Sequence, residues 1–205
     1  MKKINFKIIL QIILLVLINS SFYYLAKIIQ GPALLLDNSI DQKIPFIEHF
    51  VYFYIIWYPL LIIIPYIFYQ SKKETFKKYG ILYILCAITT NIIYIIIPTT
   101  MTRAIIANNN ISQQIVNIIY YLDTPAVNCL PSMHCICCFL FMFVAASEKK
   151  IEKKKKRLIM TISTLIILST LFIKQHVLYD VISAFIIVLI YNTIYEILTK
   201  RKKGI

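Results

Sequence analysis

Three separate stretches of this chain carry side chains able to handle a phosphoryl group. The first is Lys174-Gln175-His176-Val177-Leu178-Tyr179-Asp180, at the mouth of the last long apolar run. If a helix has begun by His176, the four-residue step to Asp180 puts both side chains on one face, one turn apart. An Asp so placed can accept a hydrogen bond from a ring N–H. That fixes the tautomer, makes the other ring nitrogen more nucleophilic and stabilises a cationic imidazole. Lys174 adds a positive charge beside them. The plainer alternative is a snorkelling Lys and an interfacial His–Asp pair that anchor a helix end.

The second stretch is Pro131-Ser132-Met133-His134. Pro suits the first turn of a helix, where its missing N–H costs nothing. Ser132, Met133 and His134 would then lie in that turn, where free backbone N–H groups and the helix dipole make an anion site. Ser132 adds a hydroxyl donor, and His134 can protonate a leaving oxygen as general acid. The third stretch holds Arg103, which can grip phosphate oxygens with two parallel hydrogen bonds. Taken singly, these three residues also read as a cap, an interfacial polar residue and an anchor.

The elements that must position these groups are membrane helices. The chain has 205 residues, is 60% hydrophobic and only 15% charged, with a mean hydropathy of +0.75. A soluble domain carries about 25% charged residues. A span takes roughly 20 apolar residues, so about six fit with short loops. The reading is all-α: one polytopic six-helix membrane bundle, a single domain over residues 1–205. The basic leader Met1 to Lys7 precedes an apolar run, Ile8 to Ile29, too long for a signal peptide, and is read as a retained first span. Further spans are expected over 46–69, with Pro59 and Pro65 inside, then 81–97, 131–146, 158–173 and 176–198. Between the third and fourth, Ile111 to Leu122 places Ile111, Ile115, Ile118, Ile119 and Leu122 on one face. That pattern predicts a helix lying in the membrane interface. The five cysteines, Cys86, Cys129, Cys135, Cys137 and Cys138, lack CxxC spacing and read as small packing residues.

The net charge of +13 could suggest nucleic acid, but the basic residues fall in short clusters between apolar runs. Lys2, Lys3 and Lys7, then Lys72, Lys73, Lys77 and Lys78, then Lys149, Lys150 and Lys153 to Arg157, then Lys200 to Lys203 all fall on one side of a six-span topology. The alternate loops carry Lys43, Arg103 and Lys174. Both termini are therefore expected in the cytoplasm of a plasma-membrane protein. Arg103, Ser132, His134, Lys174, His176 and Asp180 are expected at the extracytoplasmic face.

These residues resemble the motifs of a known family. Leu130-Pro131-Ser132-Met133-His134 looks like its P-S-x-H motif, and Ser169, His176 and Asp180 match its S-x6-H-x3-D motif. Arg103, after Pro98-Thr99-Thr100-Met101-Thr102, resembles the Arg of its first motif. The family is the type 2 phosphatidic acid phosphatase superfamily, which includes haloperoxidases. Asp41 to Phe46, Trp57-Tyr58 and Lys174-Gln175-His176 look more like its inositolphosphotransferase-like membrane branch. The resemblance spans roughly residues 41–184. It implies a six-helix core and metal-independent phosphoryl transfer without a cofactor. By that analogy His176 is the nucleophile, Asp180 orients it, and His134 is the acid and later the base. Arg103, Ser132 and Lys174 then hold the phosphate. The sequence departs from the family at Ile96, where a Lys is usual, at Thr170, where an Arg is common, and at Ala104, where a Pro often stands.

The expected function is a membrane-embedded phosphatase acting on a lipid phosphate or diphosphate through a phosphohistidine. The alternative is a lipid phosphotransferase that passes the group to an alcohol. The expected partners are a lipid phosphate and membrane lipids, with no nucleic acid. Two rivals come from other classes. One makes His134, His176 and Asp180 zinc ligands, which Lys174 alongside disfavours. The other is a transporter relay, for which midplane polar residues such as Asn91 are too few.

Overall fold

A computed structural model describes residues 5–202 of the chain. Lys2, Lys3 and Lys203, which enter the charge count above, lie outside the described residues. Within them are eight α-helices. These are α1 (Phe6–Ile29), α2 (Ser39–Lys43), α3 (Val51–Ser71), α4 (Lys73–Ile96), α5 (Ile111–Leu122), α6 (Met133–Ser147), α7 (Lys153–Phe172) and α8 (Leu178–Lys202). A 3-10 turn, Glu48–Phe50, leads into α3. Two short strands, β1 (Leu34–Leu35) and β2 (Thr99–Thr100), pair in parallel and tie the loop after α1 to the loop after α4.

Four helices are long and apolar enough to cross a membrane: α1, α3 with its leading turn, α4 and α8. α6 is apolar but has only 15 residues. α7 opens with Lys153 to Arg157 before its apolar part. α4 and α7 start eight and five residues earlier than hydropathy predicts, at Lys73 and Lys153 instead of 81 and 158. The reason is that Lys, Arg and Glu are good helix formers; apolar content marks a helix's surroundings, not its backbone limits. α5 occupies the predicted residues, 111 to 122.

α6 is the hub, packed on α3, α4, α7 and α8. Its Cys135, Ile136, Cys138, Leu140, Phe141, Val144 and Ala145 are fully buried. A helix apolar all round needs neighbours on every side, and α6 has them. All five cysteines are buried and unpaired, and those of α6 act as small contacts that let neighbouring helices approach. α1 packs mainly on α3 and α4, and most of its Ile and Leu residues are exposed. It runs antiparallel to α3, with the Asn5 backbone N–H donating to the Tyr66 hydroxyl at 2.9 Å.

The bundle has two chemically distinct ends. At one, Lys78 donates to Ser147 at 3.1 Å and pairs with Glu196 at 2.5 Å, and Thr75 bonds Glu148. This joins the α3–α4 turn, the α6–α7 turn and the end of α8, so the lysine clusters of both turns share that end. The opposite end gathers the start of α6, the start of α8, the end of α4 and Arg103.

Candidate active site

The start of α8 is set by how α7 stops. Lys174 sits in the left-handed region, with φ 52°. Its N–H donates to Leu171 O at 3.1 Å, and the Gln175 N–H donates to Thr170 O at 2.9 Å. This is the paired hydrogen-bond pattern that usually closes a helix on Gly. Here Lys174 takes the glycine position, and its ammonium donates to the carbonyls of Asp41 and Ile44 at 2.7 and 2.5 Å. Burial pushes the Lys174 ammonium down, and the carboxylates of Asp41 and Asp37 partly offset this.

The tight turn leaves His176 two residues ahead of α8, not on its first turn as the four-residue spacing suggests. The contact with Asp180 forms by a different route. Asp180 is the third residue of α8, and its Oδ2 turns back to accept the Val177 N–H at 3.1 Å. Acidic side chains at that position commonly reach back in this way to cap a helix start. The same oxygen lies 2.9 Å from His176 Nδ1. Asp180 is fully buried, so its carboxylate is held by the helix start and by the ring. Asp41 supports the start from α2, accepting the Leu178 N–H at 2.8 Å.

The start of α6 also differs in detail from the sequence reading. Ser132 is the N-cap, its Oγ accepting the Cys135 N–H at 3.3 Å, and Pro131 lies one residue before the cap instead of in the first turn. Two bonds fix this corner. Tyr94 of α4 donates to Pro131 O at 2.7 Å, and the Ser132 N–H donates to Asp180 O at 3.2 Å. The two helix starts are thereby joined, and both dipoles aim their positive ends at the same region. His134 projects between Tyr54 and Trp57 of α3, with ring centroids 4.4 and 4.0 Å away. Its Nε2 is buried without a hydrogen-bond partner. The rings of His134 and His176 are 5.9 Å apart.

Arg103 arrives from the loop after β2. Its Nη1 donates to Tyr120 O at 2.8 Å, and its Nη2 donates to Asp123 at 2.6 Å and to Gln175 Oε1 at 2.9 Å. The guanidinium lies 4.8 Å over the Tyr120 ring, a cation–π contact that fixes its plane. Asp123 is shared: its second oxygen accepts from the Tyr23 hydroxyl at 2.8 Å and lies 3.5 Å from the Lys27 ammonium.

Two cavities meet here. One, of about 310 Å³, is walled by Tyr23 and Tyr24 of α1, by Tyr54, Trp57 and Tyr58 of α3, and by Arg103, Asp123, His134 and His176. The other, of about 620 Å³, is walled by Asp37, Asn38, Asp41 and Gln42, and by Arg103, Lys174 and His176. Arg103 and His176 line both. Ser132 and Asp180 line neither, and Asp180 stands behind His176. The structure therefore brings His134, His176 and Arg103 to one cavity, with Asp180 behind His176 and Lys174 on the adjoining cavity. Where the family resemblance expects further cations, Ile96 is exposed and Thr170 is buried, its carbonyl spent on the turn.

Sequence reasoning missed Asp123, Lys27 and Gln175, and the aromatic clamp on His134. Asp123 reads in sequence as a helix end, and Lys27 is masked by the apolar run around it. The one available signal was chemical, since an acid next to the candidate loops is rare in this chain. Among the described residues no three His, Cys, Asp or Glu side chains gather as a metal site.

A family model described as the PAP2 superfamily matches residues 31–194, a span that contains all six candidate residues. No curated protein and no solved structure matches the chain.

Proposed function

The chain belongs to the PAP2 superfamily, and from that premise we propose that it is a membrane-embedded phosphatase of lipid phosphates or diphosphates working through a phosphohistidine. The observation that carries this is the His176–Asp180 pair. With Nδ1 on the carboxylate, Nε2 is left free as the nucleophile. In the first step Nε2 forms a bond to phosphorus while the bond to the lipid oxygen breaks. His134 gives that oxygen its proton, so an alcohol leaves and not an alkoxide. In the second step water attacks the phosphohistidine, His134 takes the water's proton, and phosphate departs as His176 is restored. Arg103 neutralises charge on the phosphoryl oxygens as it develops, with the starts of α6 and α8 adding their dipoles. Ser132 keeps α6 in place, and Lys174 supplies a cation from the adjoining cavity.

The membrane arrangement belongs to the same proposal. α6 and α7 join the four long apolar helices as spans, and α5 lies in the interface. Both termini are cytoplasmic and the site faces outward across the plasma membrane. What supports this is the two-ended bundle, with the lysine-rich turns at one end and the site at the other, in the sense of the positive-inside rule. The aromatic cavity, walled partly by outward-lying α1, suits a lipid's phosphate end.

One observation favours a second reading, transfer of the phosphoryl-bearing group to an alcohol, as in the inositolphosphotransferase-like branch. The second cavity, of about 620 Å³, is also lined by His176 and Arg103, which gives an acceptor hydroxyl a route to the phosphohistidine separate from the lipid. The test is release of phosphate from a panel of lipid phosphates by purified protein in detergent, with and without added polyols. Acid quench traps the phosphoenzyme. Phosphate release with a histidine-linked phosphoenzyme is the expected result. Loss of phosphate in favour of a phosphorylated polyol establishes transfer, and absence of any phosphoenzyme overturns both readings.

A further inference from the structure

Asp123 has no part in the chemistry above, yet it lies in the same cavity as both histidines. It holds Arg103, the main cation lining that cavity, at 2.6 Å. Its side chain keeps about a third of its surface exposed, while those of Arg103 and Lys27 keep 13% and 11%. The carboxylate is therefore the open member of the trio and faces whatever enters. Its other oxygen is held by α1, through the Tyr23 hydroxyl and Lys27.

We propose that Asp123 sets the charge selectivity of the site, so that a singly charged phosphoryl group is accepted and a doubly charged one is disfavoured. The inference rests on the phosphoryl-transfer reading and narrows its substrate. Arg103 and Asp123 line this cavity, with Lys27 on the other oxygen of Asp123 and Asp180 on the ring of His176. The guanidinium is therefore shared between Asp123 and whatever anion enters. A first negative charge on the ligand gains the directed hydrogen bonds of Arg103. A second gains less, because Asp123 already holds the same guanidinium and repels a doubly charged group about twice as strongly as a singly charged one. A lipid phosphodiester, or a monoester carrying one proton, meets this requirement. Lys27 is a positioning residue: it shares the charge of Asp123 and so sets how firmly that carboxylate holds Arg103.

The test compares a lipid phosphate monoester with its methyl diester at pH 8, as a ratio of kcat/KM values, in wild type, Asp123→Asn, Lys27→Gln and His176→Ala. Asp123→Asn keeps the size and one acceptor of the side chain but removes its charge. It should raise the monoester-to-diester ratio by about tenfold. Lys27→Gln should move the ratio the other way. A merely structural role would change both substrates alike. A second readout needs no turnover: the rise in melting temperature given by inorganic phosphate against that given by dimethyl phosphate. Asp123→Asn should bind inorganic phosphate more tightly while dimethyl phosphate changes little. An unchanged ratio and unchanged phosphate binding in folded Asp123→Asn overturn the proposal. If instead His176→Ala keeps wild-type turnover, the phosphoryl-transfer reading fails, and phosphate binding still decides the role of Asp123.

Discussion

His134 and His176 face each other with ring centroids 5.9 Å apart, one fixed by aromatic stacking and the other by a buried carboxylate. The two supports differ in kind, so the two rings should fail differently. His176→Ala removes the proposed nucleophile and should abolish turnover and phosphoenzyme alike. His134→Ala removes the proposed acid, which should cost about 10²–10⁴-fold on a lipid substrate. A nitrophenyl phosphate needs little help in leaving and should be partly spared by His134→Ala only. Phosphate trapped on His134 would mean the roles are exchanged.

Asp180→Asn should fall between these variants on the activated ester. The amide can still accept the Val177 N–H and hold the helix start, but it cannot stabilise a cationic ring or enforce the tautomer. A loss of about 10³-fold or more in kcat with a small change in melting temperature is expected. A collapse in stability with unchanged kcat per folded molecule would assign Asp180 to the cap alone.

Lys174 occupies a backbone region that costs an L-residue about 1–2 kcal/mol, and its ammonium compensates with two carbonyl bonds. Lys174→Ala keeps the backbone cost and loses the bonds. Lys174→Gly loses the bonds but also removes the backbone cost. Thermal stability should therefore rank wild type, then Gly, then Ala, with the two variants about 1 kcal/mol apart. Activity should fall in both, on every substrate by a similar factor. A reversed order of the two variants would show that the turn is not what the side chain serves.

Activity should survive chelation. Asp123, the carboxylate that lines the aromatic cavity with the histidines, is paired with Arg103 and Lys27, and Lys174 lines the cavity next to it, whereas a dication site gathers carboxylates free to bind it. Phosphate release is measured before and after treatment with a strong chelator, then with zinc restored. Loss and zinc-specific recovery would replace this mechanism with a metal-centred one.

The orientation is checked with single cysteines at Asn109 and Glu152 in a Cys-free background. An impermeant thiol reagent applied to intact cells should label the first and not the second. The opposite pattern would turn the molecule over and put the cavities on the cytoplasmic side.

By itself the sequence determined an all-helical chain with helices long and apolar enough for a membrane, because hydropathy and helical periodicity are local properties. It determined the limits of α5 for the same reason, since the amphipathic repeat from Ile111 to Leu122 stops at Asp123. It also singled out His134, His176, Asp180 and Arg103 as candidates for the polar chemistry, because few other residues in these stretches could carry it. Only the tertiary structure decided how they meet. The turn at Lys174 has no glycine to announce it, so the start of α8 at Leu178 could not be read from spacing. The His176–Asp180 contact comes from a side chain capping a helix start, not from a shared helix face. The trio of Arg103, Asp123 and Lys27 joins a loop, the end of α5 and the last turn of α1. Charge pairing across such separations depends on where three segments are carried by the packing of the bundle, and no local pattern records that.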